Sequence, residues 1–218
     1  MVLRVGPQAL LEAIDGVAYV VDRRGIIRAI GTQAWERFAT ANGSPELTAD
    51  RVIGTSLFAG VTRTAVRDAC QRLHALVCLR QREMITYEYR CDAPDTERRM
   101  RMSIRPVAGR RGAIMALYQS QLLDETPGLP SGLLSMGTRA DDAGKGLAAD
   151  PLVICSFCRD VAWPIGVSEA NASWIGIADY YRRGGNGDVA VSHGICPGCV
   201  DRLFGEDDLA ATGLCSAG

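Results

Sequence analysis

Two periodicities share the first 123 residues. Residues 17–21 (VAYVV) are an apolar run. Asp22-Arg23-Arg24-Gly25 interrupts it, and a second apolar stretch covers 26–30. Two apolar runs joined by a short turn that ends in glycine predict a hairpin. Residues 8–14 predict a short amphipathic helix, and residues 33–40 a second one with Trp35 and Phe38 on one face. Asn42-Gly43-Ser44-Pro45 breaks the chain, and residues 62–82 predict the longest helix. Three strand candidates follow, at 84–91, 98–107 and 112–121. In 98–107 a period of two puts Arg99, Arg101, Ser103 and Arg105 on one face, with Met100, Met102 and Ile104 on the other. In the strand before it, Ile85, Tyr87 and Tyr89 alternate with Thr86, Glu88 and Arg90. Strands grouped around helices, with hairpin links, predict an antiparallel sheet in an α+β domain.

Beyond residue 123 the periodicity stops. Residues 124–150 hold five Gly and two Pro among 27 residues, and predict a linker between a first domain (1–123) and a second module (151–206). Residues 207–218, with Asp207-Asp208, read as a solvated tail. Charge divides at the same place. Residues 1–123 carry 18 Arg against 12 acids, net +6, and residues 124–218 carry net −7. The arginine face of 98–107 is therefore expected to be a solvated face that meets the acidic half or a second copy. A nucleic-acid surface is the poorer reading, because Glu and Asp are interspersed among the bases. Composition is that of a globular protein, with 47% hydrophobic and 22% charged residues. No apolar run reaches the ~18–20 residues of a membrane span, and the N-terminus lacks secretion-signal features. A cytoplasmic location is expected.

The first domain resembles a PAS domain. The residues that carry the resemblance are DGVAYVVDRRGIIRAIGTQAWERFA, VIGTSLF, ITYEYRCDA and RRMRMSIRPV, within about residues 7–123. The resemblance implies a five-stranded antiparallel sheet with helices over one face, acting in sensing. It also implies a small ligand, or none, between sheet and helices. The residues placed there are Trp35, Phe38, Phe58, Leu73, Tyr87 and Met102, which core packing alone would also place inward. No identity for such a ligand follows. Family members often have Asn after the second strand, and Gly31-Thr32 stand there instead. The cysteine motif of flavin-binding light sensors is missing. Some PAS proteins hold haem through a His on the long helix, where His74 lies. Taking Val66, Cys70, Leu73 and Val77 as the apolar face, however, His74 is about 80° off its centre. The family's dimers commonly use a helix before the first strand, which residues 8–14 could supply.

Chemistry concentrates in eight cysteines. Cys155-Ser-Phe-Cys158 and Cys196-Pro-Gly-Cys199 are two C-x-x-C pairs in a module too small to build a large core. Each pair can present two thiolates from one tight turn, and two such turns complete a tetrahedral Zn²⁺ shell. Buried thiols or a redox-active pair are the alternatives. Cys70, Cys78, Cys91 and Cys215 are expected to take no part. His193 could ligate, could orient a ligand by donating a ring N–H, or could be an ordinary loop residue. Trp174, Ile177 and Tyr180-Tyr181 fall at helical spacing and predict the module's core. The module resembles a cysteine module appended to bacterial sensory proteins, on ICSFCRDV, the aromatic positions through Tyr180, and SHGICPGC. No catalytic activity is implied by it. Neither a phosphate-binding loop, a dinucleotide fingerprint nor H-E-x-x-H is present. The expectation is a signalling protein acting by protein–protein contact, not an enzyme, with a haem sensor or a C-x-x-C redox sensor as alternatives.

Overall fold

The computed structural model describes residues 6–92, 96–109, 112–127, 150–168, 171–186 and 191–211, with backbone alone for 205–211. The expected linker core (128–149) and Cys215 lie outside these residues.

The first unit opens with helix α1 (Pro7–Glu12) and the hairpin of β1 (Val17–Val21) and β2 (Ile27–Ile30). Helices α2 (Thr32–Ala41), α3 (Ala49–Val52) and α4 (Thr64–Cys78) follow, then β3 (Ile85–Arg90), β4 (Thr96–Ala108) and β5 (Ile114–Pro127). The five strands form one antiparallel sheet in the order β2-β1-β5-β4-β3. The alternation reads through directly: Met100, Met102 and Ile104 are buried, while Arg99, Arg101 and Arg105 are exposed. Ile85, Tyr87 and Tyr89 stand opposite Ile104, Met102 and Met100, so all six share the face under the helices. Tyr19 and Tyr118 stack on the same face, with ring centroids 5.0 Å apart.

Two local features depart from expectation. Strand β5 continues to Pro127, past the expected domain end at residue 123, because residues 124–127 pair with 96–99 of β4. Helix α4 stops at Cys78, not Arg82. Arg80 takes a left-handed conformation (φ 56), with Arg80 N–H donating to the Val77 carbonyl and Gln81 N–H to the Leu76 carbonyl. That pair of bonds closes a helix end.

At the start of α2, Gly31 has no side chain to cap the free N–H groups. The carboxylate of Glu12, from α1, accepts from Thr32 N–H at 2.7 Å and Gln33 N–H at 3.4 Å. A Cβ on residue 31 would lie 2.9 Å from the Leu11 carbonyl oxygen. The cap has moved from the local residue to a neighbouring helix, which brings α1 close enough to exclude the Asn expected there.

The second unit is a mixed sheet of β6 (Leu152–Cys155), β7 (Val161–Trp163), β8 (Ser173–Ile175) and β9 (Val191–Gly194), in the order β8-β7-β6-β9, with β6 and β9 parallel. Helix α5 (Ile177–Arg182) covers it, and α6 (Pro197–Ala211) follows β9. Leu152, Ile154, Val161 and Tyr180 form its core. Trp174 lies on β8, not on the expected helix, and touches the cysteine cluster instead. Helix α6 runs on through 207–211, where a tail was expected. Among the described residues no helix is long and apolar enough to cross a membrane.

Candidate metal centre

Two turns bring four thiols together. Cys155 ends β6, and residues 155–160 fold back tightly. Cys155 N–H donates to the Asp160 carbonyl at 2.8 Å, Arg159 N–H to the Cys155 carbonyl at 3.0 Å, and Arg159 is left-handed (φ 69). Cys196 follows β9 and precedes α6, with Pro197 at the first helical position, where no N–H is needed. Cys199 and Val200 both donate their N–H to the Cys196 carbonyl at 3.0 Å. Convergence follows from the parallel pairing of β6 and β9. Cys155 stands beside Gly194, so both strands deliver their turns at the same edge.

The sulfurs of Cys155, Cys158, Cys196 and Cys199 all lie within 4.8 Å of one another, and those of Cys158 and Cys196 are 3.6 Å apart. Four thiolates at ~2.3 Å around one ion stand about 3.8 Å apart, so the set fits a single tetrahedral metal with closure of about 1 Å or less. Cys155, Cys196 and Cys199 are buried and Cys158 half-buried. Donors aim at the sulfurs: Cys196 N–H at Cys155 Sγ (3.4 Å) and Arg202 Nη2 at Cys199 Sγ (2.7 Å). Burial works against ionising Cys155, but N–H groups of Cys158, Cys196 and Phe157 outweigh it and hold its pKa below the usual thiol value. Burial pushes Cys158 well up, with the Cys155 charge adding to it, and Cys196 up to about 11. The N–H donors thus favour the thiolate at Cys155 while burial disfavours it at Cys158 and Cys196, and a bound cation would convert the set to thiolates.

His193 lies on β9 opposite Ile154, near Arg90 and Asp92, and is outside the thiol cluster. Burial lowers its pKa, against the pull of Asp92.

The centre adjoins the first unit. Val66 of α4 packs on the thiol cluster. The Arg90 N–H at the open edge of β3 donates to the Ser156 carbonyl at 2.8 Å, and Phe157 packs on Tyr87 with centroids 5.7 Å apart. Arg63 Nε donates to Ser192 Oγ at 3.0 Å. Phe204 of α6 is 1% exposed and belongs to the sheet–helix core with Leu73, Val77 and Met102; Val200 and Leu203 touch both that core and the thiols. The Arg72 guanidinium lies 4.2 Å over the Phe204 ring. The three arginines expected to dock do not make this contact. Arg99, Arg101 and Arg105 are exposed on the other side of the sheet, and Arg101 pairs with Glu88 at 3.1 Å. The expected docking of the two halves through Arg99, Arg101 and Arg105 is therefore corrected: they meet mainly through α4, the edge of β3 and α6, with the Arg159–Glu97 pair at 3.2 Å reaching β4 from the second unit. The sequence signal was Val200, Leu203 and Phe204 at i, i+3 and i+4, inside the expected module but not read as a helix face.

Of the six residues placed at a PAS ligand site, five sit in one packed core and Phe58 packs on the His74 ring beside it. Phe58, Leu73 and Met102 are buried; Trp35, Phe38 and Tyr87 are partly buried against that core. Phe38 also lines an open cleft of about 560 Å³ between α2 and the ends of β1, β4 and β5, with Arg37, Arg98 and Ser120 on its wall. His74, expected on the flank of α4, is 3% exposed. Its Nε2 lies 2.8 Å from the Asp22 carbonyl, which can only accept, so Nε2 carries the proton. Nδ1 then accepts from the Tyr118 hydroxyl at 3.0 Å. The β1–β2 turn and Phe58 cover the flank that helical geometry alone left open. Both ring nitrogens are occupied by protein, so neither is offered to a haem iron.

No protein-family profile matches the sequence. A protein of Rhodobacter capsulatus, described as an uncharacterized 104.1 kDa protein in hypE 3'region, is 33% identical over 154 residues. The match takes in 62% of this chain and 16% of that protein's length. Among solved structures, the PAS domain of BvgS from Bordetella pertussis is similar over 54% of this chain and 83% of that one, at 15% identity and a TM-score of 0.41. The PAS domain of nitrogen regulation protein NR(II) from Vibrio parahaemolyticus is similar over 55% and 100%, at 15% identity and 0.37. VqmA of Vibrio cholerae is similar over 61% and 56%, at 16% identity and 0.42. The antiparallel sheet β2-β1-β5-β4-β3, with helices inserted between β2 and β3, is a PAS-like fold.

Proposed function

We propose that this chain is the sensory part of a signalling protein, in which a PAS-like unit is joined to a four-cysteine module that holds one structural Zn²⁺. It passes its signal by contact with a protein partner or a second copy of itself, and carries out no catalysis. The observation that carries the reading is the convergence of four thiols, with N–H donors aimed at them, against the open edge of a PAS-like sheet. Charge balance supports a metal: four thiolates around Zn²⁺ leave a surplus of negative charge, and Arg202 lies on Cys199 Sγ to offset it. Exposed Leu10 on α1, 56% accessible, offers apolar surface for a second copy.

The test is metal content and a UV–visible spectrum of untagged protein purified from cells. One zinc per chain is expected, with no Soret or flavin band. Cys70→Ser should keep the metal, whereas Cys199→Ser should lose it. Retention of full stoichiometry in Cys199→Ser, or a haem spectrum, would overturn the reading.

A further inference from the structure

Helix α6 belongs to two sites at once. Its first turn holds Cys196 and Cys199 in the thiol cluster. Five residues beyond Cys199, about 7.5 Å along the axis, Phe204 is in the core of the PAS-like unit. Val200 and Leu203, between them, touch both clusters. From the other side, Val66 of α4 reaches the thiols, and Phe157, between Cys155 and Cys158, packs on Tyr87. The thiol turns and the PAS-like core therefore share walls.

Resting on the reading of the four thiols as a metal centre, we propose that the signal received by this protein is occupancy of that centre by a thiophilic divalent cation. The PAS-like core reads it through α6. With the thiols drawn together, α6 is held as the wall that closes the core between α4 and the edge of β3. A 15-residue helix is marginal by itself in water, so without the clamp its seat depends, among the described side chains, on Val200, Leu203 and Phe204. The Arg90–Ser156 bond and the Tyr87–Phe157 contact hang from the Cys155–Cys158 turn and loosen with it. Loss of the cation thereby opens β3 and α4, while the β1–β2 hairpin at the far end of the sheet makes none of these contacts. The ligand of this sensor is the cation, and its receiving surface is the α4–β3 side of the sheet.

Hydrogen exchange on the full chain tests this, with zinc counted on the same samples before and after a chelator. Removal of zinc should speed exchange about tenfold or more in residues 152–211, and also in 85–90 of β3 and 64–78 of α4, with 17–30 changed least. Zinc loss that speeds exchange in 152–211 alone overturns the proposal and leaves the metal reading intact. Protein that takes up no zinc overturns both, and the metal count tells the two failures apart. Phe204→Ala gives a second arm that spares the thiols. It should keep one zinc per chain yet exchange at β3 and α4 like stripped protein. Full protection there with zinc bound would show that α6 is not the wall.

Discussion

At the scale of single residues, His74 shows how a local pattern can mislead. Its position about 80° from the centre of the apolar face of α4 argues for a flank. Burial comes from residues far away in sequence: Phe58, Tyr118 and the Asp22 carbonyl. No periodicity within α4 carries that information. Burial is also the main reason its pKa lies below the ordinary 6.5, against the pull of Asp22. The neutral ring is the folded form. Above pH 6.5 both folded and unfolded chains hold it neutral, and its contribution is complete. As pH falls below that value the unfolded chain takes up the proton first, and stability declines until the lower folded pKa is passed. His74→Phe should remove this part of the pH slope. It should also cost about 1–3 kcal/mol at pH 7.5, because Tyr118 and Asp22 lose their partner. Denaturant titrations of both proteins at pH 7.5 and 5.5 would show it. An unchanged slope would mean that His74 does not titrate as its surroundings require.

At the scale of elements, the sequence pattern located β1, β2 and the cores of β3, β4 and β5 to within a few residues. The reason is that one face of the sheet is buried and the other wet. Met100, Met102 and Ile104 against Arg99, Arg101 and Arg105 is a pattern only a strand explains. The four thiols were equally legible, because two C-x-x-C turns carry their own geometry. Their common edge was not, since it depends on the parallel pairing of β6 and β9 across 36 or more residues of chain. Helix α6 was missed as a core element because its last five residues, 207–211, were read as part of a charged tail. Placing the arginine face away from the second unit has a direct consequence. Exposed pairs such as Arg101–Glu88, and Arg159–Glu97 across the joint, contribute only ~0–1 kcal/mol, and the joint itself is made mainly by Phe204, Val200, Leu203 and Phe157. Arg99→Glu with Arg101→Glu should therefore leave the radius of gyration of the monomer unchanged. The same holds between about 50 and 500 mM salt, where the screening length shortens from over ~10 Å to a few Å. Small-angle scattering that shows expansion in the double variant would return the joint to the charged face.

At the scale of the molecule, two units legible as separate in charge and composition keep their own cores but are joined through α6, whose Phe204 lies in the core of the first. Units joined through a buried helix in this way should unfold as one body. In calorimetry the metal-loaded chain is expected to give one transition for both sheets, and Phe204→Ala, a core truncation of about 3–5 kcal/mol, should lower or split it without changing zinc content. Two well-separated transitions in the unmodified, metal-loaded chain would restore the picture of independent modules. All of this depends on the chemistry of the centre, and zinc-edge X-ray absorption on the purified full chain tests that most directly. The account predicts one zinc per chain with four sulfur neighbours at ~2.3 Å and no light-atom neighbour, from Cys155, Cys158, Cys196 and Cys199. A shell of three sulfurs with one nitrogen, as His193 would give, or protein that holds no zinc, would contradict it.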